Sequence, residues 1–362
     1  VKALRFLTLL LAAAAAAATV VVTAGTPAGG SFRDPLDAPA PHTRFAGASQ
    51  LSAIARAGAR MVSVGARGLI VVSDDEGTSW RQVESPVSSD LVAVRFVSAY
   101  QGFASGHDGV ILATTDGAEH WSKQLDGRMA AELLAAHFAH LAAQGDANAV
   151  RLQKEVARNY GSGPEIPMLD LWFENERDGF AVGPFGTILG TRDGGKTWVS
   201  WMEKVDNDKM LHFNAVRGVG ADVYLASEQG LLFRLDRARE RFVPIATGYT
   251  GSFFGVVGTR DLVIAYGLRG SAFRSRDGGT KWERLSTGVP AGLTGATLLD
   301  DGRLLFVTQD GRLLLSADQG DSFKTVAVQR PGLFTDVAEA ADHRAVLTGL
   351  GGVQSARIPA RF

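Results

Sequence analysis

Thr191-Arg192-Asp193-Gly194-Gly195-Lys196-Thr197-Trp198 is the stretch from which the fold can be read. It is a tight polar turn that ends in an aromatic. The octet returns as Ser275-Arg276-Asp277-Gly278-Gly279-Thr280-Lys281-Trp282, and looser copies end at Trp80, Trp121 and Phe323. A repeated unit has to be found before anything else, because it decides the architecture. The hydroxyl and carboxylate of each copy can hydrogen-bond the turn's own backbone. The glycines permit positive φ. The aromatic offers a large apolar face to neighbouring strands. The residues assigned to this turn are Ser73, Asp75 and Trp80; Thr114, Asp116 and Trp121; Thr191, Asp193 and Trp198; Ser275, Asp277 and Trp282; and Ser316, Asp318 and Phe323. A structural fastener explains them better than an acidic catalytic loop, because degenerate copies are tolerated. Ala118 replaces a glycine, and Leu235 to Phe242 keeps only the aromatic and a shifted Asp236.

Around the octet the chain alternates in short runs with glycine turns, the signature of strands and hairpins. Leu91 to Phe96 reads as a first strand, Phe180 to Gly183 as a second and Thr187 to Gly190 as a third. The second glycine of a recurrent Gly-x-x-Gly turn falls at Gly68, Gly109, Gly186, Gly230, Gly270, Gly311 and Gly352. The intervals are 41, 77, 44, 40, 41 and 41, so there are seven units and one insertion. A period of that length with four strands is a propeller blade. The expected fold is all-β: a seven-bladed β-propeller with four-stranded blades over 49–362. After Gly352 only one strand's worth of sequence follows, Val353 to Ile358. Residues 25–48, rich in Pro, Gly and Ala, read as linker, and the part over 31–45 is expected to supply the missing strand of blade 7. An open ring would leave a sheet edge exposed to other chains.

The insertion, 127–166, reads as a helical hairpin between blades 2 and 3. Leu133, Leu134, Phe138 and Leu141 follow helical spacing, Gly145 breaks the run, and Asp146 can N-cap a second helix over Ala147 to Asn159. Strand order places the octets on one face of the ring, and the Gly-x-x-Gly turns and hairpin on the other. Insertions on one face of a repeat array often mark the binding face. The partner-binding candidates there are Arg67, His107, Asp108, Phe185, Arg269 and Asp310 at turn tips, with His137 and His140 on the first helix.

At the N-terminus, Lys2 and Arg5 precede an uncharged run from Phe6 to Ala24. That is the pattern of a secretory signal peptide, 1–24, cleaved near Ala24 or Ala28. An uncleaved anchor is the alternative, since the run could just span a bilayer of about 30 Å. A periplasmic or secreted protein is expected. The chain has 37 basic and 38 acidic residues and no cysteine. It therefore carries no clustered basic excess for nucleic acid and no thiolate chemistry. No metal or cofactor is expected: His137 and His140 lack a third ligand in sequence, and the glycines are hairpin turns rather than a phosphate-binding loop.

The octet resembles the Asp-box, or BNR, repeat. A longer stretch, Asn175-Glu176-Arg177-Asp178-Gly179-Phe180-Ala181-Val182-Gly183 through Gly186-Thr187-Ile188-Leu189 to Trp198, is similar to the Ycf48/Hcf136-like photosystem II stability/assembly factors, and Gln101 to Gly106 echoes it. The resemblance covers roughly 48–358. It implies a lumenal or periplasmic seven-bladed propeller that assists assembly of a membrane complex. In a non-phototroph the client could be a membrane transport system. A monomeric, non-enzymatic scaffold for a membrane-associated protein partner is expected, without insertion of its own once the signal is removed. The alternative is a sialidase-like glycoside hydrolase, which needs two facing carboxylates. Asp108, Glu228 and Asp310 are the candidates, one per blade and without a motif. The expected start-of-chain sialidase arginine motif is absent, and Arg357-Ile358-Pro359 lies at the other end. Arg237, Arg239 and Arg241 form a local basic run, read as a solvated edge.

Overall fold

The computed structural model describes residues 32–360, and from Asp34 onward the chain is one compact unit. The expected signal segment, 1–24, lies outside the described residues. Among those described, no helix is long and apolar enough to cross a membrane.

Seven antiparallel sheets follow one another in chain order, each built as a meander. Blade 1 shows the plan: Leu51–Ala57, Arg60–Gly65, Ile70–Ser73 and Arg81–Val83. Alternation fills both faces of each inner strand with apolar side chains, because every blade is packed between two others. The innermost strands, such as Leu51–Ala57, Leu91–Phe96, Phe213–Val219 and Phe334–Ala340, surround the axis. In six blades a register shift near the start of the innermost strand marks a bulge. Bulges increase local twist, which a ring of tilted sheets requires.

Five octets are wired alike. The hydroxyl of Ser73, Thr114, Thr191, Ser275 or Ser316 donates to the carboxylate two residues on, at 2.7–2.9 Å. Each hydroxyl oxygen also accepts the amide four residues on, at 2.8–3.1 Å. The carboxylate in turn accepts the next amides, for example Thr197 N to Asp193 Oδ1 at 2.9 Å. Ala118, which stands where the other copies have glycine, is held at φ 73°.

The insertion is the expected hairpin: α1, Gly127–Ala143, and α2, Ala147–Asn159. Asp126 and Asp146 cap the two helices through their carboxylates. Leu134 and Phe138 of α1 and Leu152 and Val156 of α2 are buried in the same core as Met168, Trp201 and Met202 of blade 3. The hairpin therefore lies against blades 2 and 3.

Blade 7 departs from expectation. It has three strands, Phe334–Ala340, Arg344–Gly349 and Gln354–Arg357, and residues 34–45 do not join it. That segment runs along the outside of blade 1 instead. Ala40 N donates to Ser85 O, Ser88 N donates to Pro35 O, and Thr43 N donates to the Gln82 side chain. Pro35, Pro39 and Pro41 have no N–H to give to a ladder, and Leu36 is better satisfied in a pocket shared by blades 1 and 2, where it is 1% exposed.

Candidate functional site

Two places gather chemistry: the ring of Gly-x-x-Gly turn tips and the axis. At the tips, Arg67, Asp108, Phe185, Gln229 and Arg269 occupy equivalent positions in blades 1 to 5, all with φ between 55° and 57°. A two-residue hairpin turn of this kind needs positive φ at both central positions, and glycine supplies only the second. Arg67 and Arg269 are in no ion pair with a described residue. The Asp108 carboxylate accepts from Ser89 Oγ at 2.6 Å, and Phe185 meets His212 edge-on at 4.9 Å. His107 sits beside Asp108 in its turn. Asp310 is not a left-handed tip; its carboxylate is held by Thr308 and Arg312. Glu228 accepts the His212 amide. These acids are engaged singly, each within its own blade.

His137 and His140 do not join that ring. His137 Nε2 lies 3.2 Å from Glu203 Oε1, whose other oxygen accepts from Ser200 Oγ. His140 faces Gln144 at 3.0 Å. The His137 contact brings α1 close to Glu203 of blade 3 without a hydrogen bond from His137 Nε2. Among the described residues no group of three or more metal-ligating side chains forms. The run Arg237, Arg239 and Arg241 is paired with Glu174, Asp236 and Asp206.

The axis holds a cluster that sequence reasoning missed. Arg95, from blade 2, lies 3.4 Å from Asp170 of blade 3 and 3.8 Å from Asp336 of blade 7. Arg217 of blade 4 pairs with Asp170 as well. Both carboxylates also accept an amide from the next blade's innermost strand: Asp170 from Val216 N at 3.0 Å and Asp336 from Ile54 N at 3.2 Å. Burial pushes the Asp170 carboxyl up to about 7, against the pull of Arg95. Burial raises Asp336 too, again opposed by Arg95, and raises the Tyr266 phenol beside them. Two arginines and two aspartates thus clasp four blades with no net charge. A signal for them existed. Arg95 and Arg217 interrupt apolar strands at the same register, and a charge there must find a partner.

A cavity of about 550 Å³ lies above this cluster, lined by Arg56, Arg95, Arg217, Asp300, Asp336 and Glu339. Its rim comes from the second halves of the innermost strands and the turns that follow them. Those turns share a face with the octets, so the cavity lies on the side away from the turn tips.

Residues 163–246, blades 3 and 4, match the sequence profile of the family described as photosynthesis system II assembly factor YCF48. The chain resembles YCF48. The matched region contains Asp170, Phe185 and Arg217, while α1 and α2 lie outside it. A solved YCF48 bound to D1 peptide superposes with a TM-score of 0.62 at 16% identity, over 86% of this chain and 94% of that one. YCF48 from Cyanidioschyzon merolae gives 0.61 at 15% identity, over 90% and 99%. The WD40 β-propeller domain of Doa1 gives 0.60 at 10% identity, over 89% and 96%. At these identities the superpositions establish the fold, which YCF48 shares with other propellers. No curated protein matches the chain by sequence.

Proposed function

We propose that this chain is an exported, non-enzymatic propeller that binds a protein partner and assists assembly or stability of a membrane complex. The observation that carries the reading is the YCF48-type sequence in blades 3 and 4, together with a solved YCF48 that holds a peptide. In a phototroph the complex would be photosystem II; elsewhere a membrane transport system is the natural client. The carboxylates argue in the same direction. Asp170 and Asp336 are engaged by guanidinium groups and backbone amides. A glycosidase acid must instead reach a glycosidic oxygen.

The test is affinity capture from detergent extracts of the source membranes, with the full chain and with a variant lacking 128–163. A membrane-complex subunit retained by the full chain is expected, with less retained when the hairpin is absent. Capture of background alone, combined with hydrolysis of an aryl sialoside by the purified protein, would overturn the reading.

A further inference from the structure

The open side of blade 7 has the features of a strand-docking site. In an antiparallel pair, hydrogen-bonded residues alternate with residues whose amide and carbonyl face the other way. Gly352 N donates to Gly349 O and Ile358 N donates to His343 O, at the two ends of the hairpin formed by Arg344–Gly349 and Gln354–Arg357. By that alternation, Gln354 and Ala356 turn their backbone groups toward the neighbouring strand. Val353, Ser355 and Arg357 turn theirs outward. The Val353 amide is taken by Gly47 O at 2.9 Å. No described residue reaches the outward groups of Ser355 and Arg357, which in the other six blades' third strands are met by a fourth strand.

Beside this edge lies a groove of about 450 Å³, with Trp80 and Val353 among its apolar lining and Arg330 and Arg344 among its polar lining. No acidic residue lines it. Arg344 stands directly opposite Arg357 in the sheet register. Like charges so placed repel one another, and none of Arg330, Arg344 and Arg357 is in an ion pair with a described residue. The described flanking residues lead elsewhere. From Gly47 back to Asp34 the backbone travels along blade 1 toward Lys123 of blade 2 and Arg128 of α1. Beyond Arg357, Pro359 O accepts from Arg303 in blade 6.

We propose that blade 7 binds an extended acidic segment of the partner protein as its fourth strand. The segment's backbone pairs with Ser355 and Arg357. Its carboxylates, at alternate positions, lie between Arg344, Arg357 and Arg330, and an apolar side chain rests on Trp80. This is strand addition: main-chain bonds give the affinity and alternate side chains give the specificity. The inference rests on the reading that the chain binds a protein, and it locates the contact.

A display of random twelve-residue peptides selected on the immobilised full-length protein tests it. Enriched peptides should carry Asp or Glu at alternate positions, and the best of them, made synthetically, should slow hydrogen exchange at the amides of Ser355 and Arg357. Ser355→Pro removes one outward N–H while leaving the bonds to the neighbouring strand intact, because proline is tolerated at a sheet edge. It should weaken binding at least tenfold. Arg344→Glu, which leaves the backbone untouched, should do the same and serves if the proline variant folds poorly. Peptides that bind both variants as tightly as wild type would overturn the site and leave partner binding intact. If no peptide enriches while membrane capture succeeds, the blade 7 site again falls alone. If capture fails too, both readings fall.

Discussion

Thr191 is 5% exposed and serves two bonds at once, donating to Asp193 and accepting from Gly195 N. Replacing it with Val leaves a buried amide unpaired, which costs about 1–3 kcal/mol. A lowered urea midpoint with an unchanged slope should report that loss. Arg95 carries more. Arg95→Met leaves Asp336 without its cation and Asp170 with Arg217 alone, and breaking a buried pair in this way costs about 3–5 kcal/mol. The cost should depend on pH in a definite direction. A carboxyl whose folded pKa is raised to about 7 favours the folded state most below its unfolded pKa and loses that contribution as pH rises through 7. Urea unfolding of Arg95→Met should therefore show a larger deficit at pH 8 than at pH 5. Asp336→Asn added to Arg95→Met should recover part of it. The octets could be read from sequence because their bonds are local, spanning two to four residues. The axial cluster joins residues as far apart as Arg95 and Asp336, so its partners appear only once the ring has closed.

Helix α1 begins at a crowded acid. Burial raises the Asp126 carboxyl, but Arg128, Lys123 and the Met129 amide outweigh it and hold the group at about 2. Its contribution is therefore present above the ordinary carboxylate range and is lost as pH falls through 2. The protection of the α1 amides, taken against their intrinsic exchange at each pH, should fall between pH 4 and 2 in the wild type and depend less on pH in Asp126→Asn. Asp126→Ala should cost about 1 kcal/mol through loss of the cap. The hairpin itself was legible from its apolar spacing and from Gly145. Its docking against blade 3 was not, since Met202 and Glu203 lie in a short turn after an outer strand and carry no periodic signal. His137, a partner-binding candidate by its place on the first helix, lies 3.2 Å from Glu203 Oε1.

At the scale of the ring, blade count followed from glycine spacing alone, because each blade repeats the same turn. The closure was misread for the same reason. A seven-unit period implies a missing strand but does not name its donor, and the prolines of 34–45 steered that segment to blade 1. Deletion of 25–45 should lower the melting temperature through loss of the buried Leu36. Leu36→Ala alone should cost about 2–5 kcal/mol, the range for a buried leucine, and should account for much of the effect of the deletion. If that substitution left the melt unchanged while the deletion lowered it, the loss would have to come from another part of the segment.

The five left-handed tips at Arg67, Asp108, Phe185, Gln229 and Arg269 offer a way to tell surface chemistry from scaffold integrity. An ordinary L-residue in that conformation costs roughly 1–2 kcal/mol, and asparagine tolerates it far better. Converting all five to Asn should therefore produce a propeller that melts at a higher temperature than the parent while stripping two cations, one anion and an aromatic ring from one side of the disc. Most surface-erasing variants weaken the protein they probe, so lost binding and lost folding become confounded. Here the two effects have opposite signs, and a more heat-resistant protein that no longer retains its client would assign the loss to the tips.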